Sequence, residues 1–183
     1  MLSLQIDDAR IADLEPWHAA ELAQLFQRHG ADFYEWLPWE HFEQADACRG
    51  FIESFAKGRA EDTRRLFGIW IDGELVGGTL FPTISTRQGA AEVGVFIAGP
   101  ARGRGIVTRA VGAMVDWAFA ERGLHRLEWK CAPGNEASRR IPQRLGFTHE
   151  GTLREAFRVR EERQDLEVWA LLAREWQGLP PRT

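Results

Sequence analysis

Apolar positions change period along the chain, and each change predicts a new element. Ala9 to Leu14 reads as a short strand. Pro16 then opens a helix, because proline suits a first helical turn, and Ala19, Leu22, Ala23, Leu25 and Phe26 supply its apolar stripe. Asp32 to His41 is aromatic, contains Pro38 and keeps no period, which predicts an irregular turn. Helical spacing returns from about Gln44 to Arg59, with Phe51, Ile52 and Phe55 on one face. Arg65 to Ile71 and Glu74 to Ser85 are strands around Asp72-Gly73, a strong two-residue hairpin turn. Gly77-Gly78 inside the second strand predicts a bulge or a close backbone approach. After a turn at Gln88-Gly89, Ala91 to Ile97 completes a three-stranded meander.

Beyond Gly99-Pro100 the pattern becomes strand–helix–strand. Helices are predicted over Ile106 to Ala120 and Glu136 to Leu145, with strands over Leu127 to Cys131, Phe147 to Leu153 and Leu166 to Leu172. Pro142 falls inside the second of these helices, removes the hydrogen bond to the Ser138 carbonyl and predicts a kink. Pro180 and Pro181 predict a frayed C-terminal tail. The sum is an α+β domain over residues 1–183: a mixed, mostly antiparallel, seven-stranded sheet with helices on both faces.

Composition narrows the class. The hydrophobic share of 44% and charged share of 27% suit a globular protein with a sizeable core. A net charge of −4 speaks against a nucleic-acid partner bound by phosphate neutralisation. No run is apolar enough for a membrane span, and no secretory leader is evident at the start. Cys48 and Cys131 are far apart and form no metal-ligand pattern, so a reducing, cytoplasmic setting without a bound metal is expected. Trp36 and Trp39, with Tyr34, could line a substrate cleft, although buried core is the plainer reading for any one tryptophan.

The chemistry concentrates at Arg102-Gly103-Arg104-Gly105-Ile106-Val107-Thr108, between a strand and a helix. Glycines let the backbone turn tightly and approach a ligand. The helix behind them presents free N–H groups and partial positive charge. With Arg102 and Arg104 this makes an anion site suited to a phosphate or pyrophosphate. It is neither a P-loop, which needs Gly-Lys-Ser/Thr, nor a dinucleotide fingerprint, which needs a third glycine. A second stretch, Asn135-Glu136-Ala137-Ser138, opens the next helix, and capping alone would account for Asn135.

Both stretches in this order resemble the GNAT superfamily of acyl-CoA N-acyltransferases. Its acyl-CoA loop is matched by Arg102, Gly105 and Val107, the valine standing where a small residue is usual. The likeness sharpens toward the Rim-type ribosomal-protein N-terminal acetyltransferases. It includes Trp36 to Trp39, Ala91 to Gly94, Asn135 to Ser138, Gly146 to Gly151 and a late Asp165, and spans Ala9 to Leu172.

The resemblance implies transfer of an acetyl group from acetyl-CoA to a primary amine, a small molecule or a protein N-terminus, by direct aminolysis of the thioester. The loop Arg102 to Thr108 would hold the pyrophosphate, backbone near Phe96 and Ile97 the pantetheine arm, and Asn135 that arm as well. Ser138 would be the general acid and Glu155 or Glu92 the general base. Some relatives carry the base where this chain has Phe157. Two other readings are therefore an acyl-CoA sensor or inactive relative, and a transferase using another donor such as succinyl-CoA. Relatives often form homodimers, so a homodimer is expected.

Overall fold

A computed structural model describes residues 4–179. Eight strands form one sheet: β1 (Leu4–Ile6), β2 (Ala9–Asp13), β3 (Arg65–Ile71), β4 (Glu74–Ser85), β5 (Ala90–Ile97), β6 (Arg126–Cys131), β7 (Thr148–Val159) and β8 (Glu162–Leu172). Their spatial order is β1-β2-β3-β4-β5-β6-β8-β7, and every neighbouring pair is antiparallel except β5 and β6. The mixed α+β sheet is as expected, but it has eight strands rather than seven. The addition is β1, which folds back on β2 through Asp7-Asp8. Three residues are too few for alternation to register.

The last hairpin is also longer than its apolar pattern implied. β7 and β8 turn at Arg160-Glu161, and most side chains between residues 154 and 165 are exposed. A ribbon wetted on both faces carries no apolar alternation to read. Pro180 and Pro181 lie outside the described residues.

The four main helices cover both faces of the sheet. α1 (Ala19–His29) and α2 (Ala45–Ala60) bury Leu22, Phe26, Ile52 and Phe55 against Leu66, Trp70, Leu80 and Phe96. α3 (Ile106–Asp116) and α4 (Glu136–Arg144) cover the opposite face, where Val111, Met114 and Val115 meet Ile69, Phe81, Val93 and Trp129. Each such side chain stabilises by roughly 1.5–3 kcal/mol when fully buried. α3 widens into a π turn over Trp117–Glu121, with Trp117 packed on Phe81. Among the described residues, no helix is long and apolar enough to cross a membrane.

Two irregularities in β4 shape the middle of the sheet. Val76 is an extra residue between the Ile69–Gly77 and Trp70–Leu75 pairs. At Gly77 a Cβ would stand 2.4 Å from the Phe96 carbonyl, and at Gly78 one would stand 2.6 Å from the Phe67 carbonyl. The glycine pair thus marks both a neighbouring bulge and a close approach. Further on, Phe81 and Pro82 interrupt the pairing with β5 between Leu80–Gly94 and Thr83–Glu92. Bulges of this kind bend and twist a strand.

Candidate active site

β5 and β6 run parallel for only four pairs, from Ala90–Arg126 to Val93–Trp129. Beyond Val93, β5 keeps its pairing with β4 while Lys130 and Cys131 stay with β8. The strands part, and the β6-facing edge of Gly94 to Ile97 has no strand on it among the described residues. A cleft of about 870 Å³ opens at the parting. It is walled by β5 from Glu92 to Ile97, the loop from Arg102 to Thr108, the end of β6, the start of α4 and the aromatic segment Trp36 to Trp39.

The loop has the anticipated form. Gly103 and Gly105 adopt φ of +79° and +70°, where a side chain would be strained. A Cβ on either would meet nothing within 4 Å, so the space before the loop is open. Gly105 caps α3 without any side-chain hydrogen bond, which leaves the first-turn N–H groups of α3 without a side-chain acceptor. Both arginines are anchored. Arg102 Nε donates to the Ile97 carbonyl at 3.2 Å and Nη2 to the Asp32 carbonyl at 3.3 Å. Arg104 reaches the Asp8 carboxylate at 2.5 Å. An oxyanion group joined to an extended, amide-bearing chain fits this arrangement of backbone donors beside an open strand edge.

At the start of α4 the Asn135 side-chain oxygen accepts the Ser138 N–H at 3.0 Å, so capping is real there. The Ser138 hydroxyl oxygen accepts from Trp129 Nε1 at 3.2 Å. Pro142 lies inside α4 and is buried, so the Ser138 carbonyl lacks its usual donor four residues on. Cys131 is also buried at the cleft wall, and burial, reinforced by Glu167, pushes its thiol up to about 11. A thiol so disfavoured for ionisation is a poor nucleophile near neutral pH.

Glu92 lines the cleft and accepts from Lys130 Nζ at 2.9 Å. Lys130 lies 3.2 Å from Glu128, which Arg126 pairs at 3.0 Å in turn. Burial works against the Lys130 ammonium, but Glu92 and Glu128 more than offset it, and its pKa stands above the ordinary lysine range. Burial likewise opposes ionisation of Glu128, yet Arg126 and Lys130 hold that carboxyl below its ordinary range.

The other expected residues divide. Trp36 lines the cleft, and its ring comes within 3.5 Å of where a Cβ on Gly134 would stand, closing one end across to the β6–α4 turn. Trp39 lines the cleft too, while its ring stacks on Phe42 and meets Phe96 edge-on. Tyr34 does not line it: its hydroxyl donates to Glu43 at 2.9 Å, and burial, then Glu43, pushes its pKa up to about 12. Glu155 is also outside. It occupies a three-residue bulge of β7 at φ +51°, where its N–H donates to the Asp165 carboxylate at 2.9 Å. Leu166 and Phe157 line the cleft in its place. Among the described residues no group of three or more His, Cys, Asp and Glu side chains could hold a metal ion.

Three participants escaped the sequence reading. Lys130 could have been found, because strand alternation in β6 puts it on the face of Glu92. Trp129 follows from the same alternation. Asp32 tethers the loop from 70 residues away and leaves no local signal.

Residues 12–148 match the family described as acetyltransferase (GNAT) domain. The chain belongs to the GNAT acetyltransferase family. Over 167 residues it is 34% identical to the Bacillus subtilis protein named "Putative ribosomal N-acetyltransferase YdaF", covering 90% of this chain and 91% of that one. It is 27% identical over 159 residues to the ribosomal-protein-serine acetyltransferase of Escherichia coli, covering 84% and 86%. The structure of Mycobacterium smegmatis RimJ in complex with CoA-disulfide superposes with a TM-score of 0.87 at 22% identity, over 97% of this chain and 89% of that one. At that identity the likeness concerns the fold. The GNAT enzyme is thus an N-acyltransferase, as the loop and its order of motifs implied.

Proposed function

We propose that this GNAT enzyme transfers the acetyl group of acetyl-CoA to the primary amine of a protein N-terminus by direct aminolysis. The observation that carries the reading is the parting of β5 and β6 beside the left-handed turns at Gly103 and Gly105. An anion seat opens there into a slot with a free strand edge, the chemistry of a pyrophosphate followed by a pantetheine arm. The residues from Arg102 to Thr108, with the first N–H groups of α3, hold the pyrophosphate. Backbone at Phe96 and Ile97 takes the arm as an added strand, and Asn135 donates to it from the side-chain nitrogen left free by its cap.

Bound acetyl-CoA supplies an activated thioester carbonyl. A backbone N–H of β5 polarises that carbonyl. Glu92, which accepts a hydrogen bond from Lys130, takes a proton from the attacking amine, directly or through water. The new C–N bond forms as the C–S bond breaks, and the Ser138 hydroxyl donates its proton to the departing sulfur. Glu155, outside the cleft, has no part in this scheme. Trp36, Trp39 and Phe157 provide an apolar entrance for the acceptor. The names of the B. subtilis and E. coli relatives favour a ribosomal protein as that acceptor. We place the enzyme in the cytoplasm as a homodimer, a state light scattering would read directly.

The test is release of free thiol from acetyl-CoA with peptides bearing N-terminal Ser, Ala, Thr or Met, each with a blocked control. Turnover with a free N-terminus and none with its blocked form is expected. Phe157 at the cleft supports the second reading, a sensor. Stabilisation by acetyl-CoA, of ~2.7 kcal/mol at a hundredfold excess over Kd, without turnover of any amine would favour it.

A further inference from the structure

Trp129 stands at the last rung of the parallel pairing, opposite Val93 in β5 and opposite Trp169 in β8. Only 1% of it is exposed. Fixed there, its indole reaches across to α4, and Nε1 donates to the Ser138 hydroxyl oxygen at 3.2 Å. Two bonds therefore hold Ser138, because its N–H already donates to the Asn135 side chain at 3.0 Å. The next residue is fastened as well: Arg139 Nε meets the buried Glu167 carboxylate at 2.9 Å. The first turn of α4 is thus pinned to β6 and β8 at two successive side chains, beside the cleft that Trp129 and Ser138 both line.

The direction of the Trp129 bond carries chemistry. An indole N–H can only donate, so the hydroxyl oxygen is the acceptor and the hydroxyl proton stays free for another partner. The Cys131 thiol lies beside that hydroxyl, and its sulfur is a weak acceptor. A thiolate departing into the cleft is a stronger one, because it carries charge. Serine is also a weak acid, so negative charge left on Oγ needs a donor already aimed at it. The indole N–H is such a donor, set in place before the reaction in a half-buried site.

We infer that Trp129 is a positioning residue for Ser138: its N–H turns the hydroxyl proton toward the departing sulfur and steadies the oxygen as that proton leaves. The inference rests on the acyl-transfer reading above, with Ser138 as the acid. In that step the C–S electron pair goes to sulfur, and sulfur takes the hydroxyl proton. Oγ regains a proton from water, to which Glu92 returns the one taken from the amine.

Replacing Trp129 with benzothienylalanine keeps the fused ring and puts sulfur where the N–H stands, so packing is spared. Single-turnover acetyl transfer at saturating acetyl-CoA, with the best of the four peptides above, reads the chemical step. The rate should fall about tenfold to a hundredfold, as for loss of a hydrogen bond to a charged group. Acetyl-CoA affinity by calorimetry should change less than about twofold. Trp129→Phe should lose a similar factor in rate and stability besides. The decisive comparison is in Ser138→Ala, where the benzothienylalanine replacement should alter the rate less than about twofold, since the two groups act as one. A full rate with benzothienylalanine would overturn the inference. Equal losses with and without the Ser138 hydroxyl would make the bond structural and overturn it too. A full rate in Ser138→Ala would remove the acid and the inference with it, while leaving acetyl transfer intact. A wild type that acetylates none of the peptides would remove the acyl-transfer reading as well.

Discussion

Arg102 and Asp32, 70 residues apart in the chain, meet at the rim of the cleft: the guanidinium lies 3.5 Å from one carboxylate oxygen, and the other oxygen accepts the Gly99 N–H at 2.8 Å. One carboxylate therefore holds both the start of the loop and its first arginine. Asp32→Ala should cost about 1 kcal/mol of stability, the net worth of such a hydrogen bond. It should also raise the KM for acetyl-CoA several-fold while leaving kcat within about twofold. Thermal unfolding and steady-state kinetics read the two effects separately. Because both side chains are partly exposed, 0.5 M salt should remove most of the ion-pair contribution but not that of the Gly99 hydrogen bond.

Glu92→Gln keeps the shape and the contact with Lys130 while removing the carboxylate proposed as the base. Turnover should fall by about 10²–10⁴-fold, with acetyl-CoA affinity nearly unchanged. A variant that retains wild-type turnover would move the base elsewhere.

The Glu92–Lys130–Glu128 row also predicts how stability follows pH. The Lys130 pKa is raised on folding, so its contribution is complete below the unfolded lysine value near 10.5 and is lost as pH climbs beyond it. The Glu128 pKa is lowered, so its contribution is present above the ordinary value near 4.3 and is lost as pH falls below. Lys130→Met should therefore be destabilised relative to the wild type by a constant amount between pH 6 and 9. The difference should narrow above about pH 10.5. Unfolding midpoints across pH would reveal a contrary slope.

Gly105→Ala should cost about 1–2 kcal/mol, because φ of +70° is strained for any residue with a Cβ although nothing crowds the position. The penalty should be relieved in a folded protein whose loop shifts, and acetyl-CoA binding should then weaken by more than tenfold. Tight binding with full stability would mean the loop tolerates a side chain and the cradle is not backbone-built.

Cys131 makes a chemical prediction. With its thiol pushed up to about 11, alkylation by iodoacetamide should be slow at pH 7 and should accelerate roughly tenfold per pH unit up to that value. Saturating acetyl-CoA should protect it, because Cys131 lines the same cleft. Fast labelling at neutral pH would show that its surroundings are not those described.

Much of this was legible because local rules carried it. Asp72-Gly73 is a hairpin turn in any context, and the strand–glycine loop–helix order around Gly105 has few other uses. β1 was invisible because three residues carry no period, and the outer ends of β7 and β8 because water touches both their faces. The site was legible only in its local parts. That Glu155 lies outside the cleft depends on the bulge of β7 opposite Asp165, which no spacing announces. Phe157 shows the same limit, since its place at the cleft is fixed by the register of the hairpin.

The parting of β5 and β6 has a mechanical side. A sheet is ordinarily laced along its whole width, yet here the half built from β1 to β5 is tied to the half built from β6 to β8 by four rungs. On the proposed function, the donor's arm lying in the gap would supply the missing rungs. The donor would then be more than a reagent delivered to a finished surface: while it stayed the two halves would be laced through it, and each departing CoA would unlace them again.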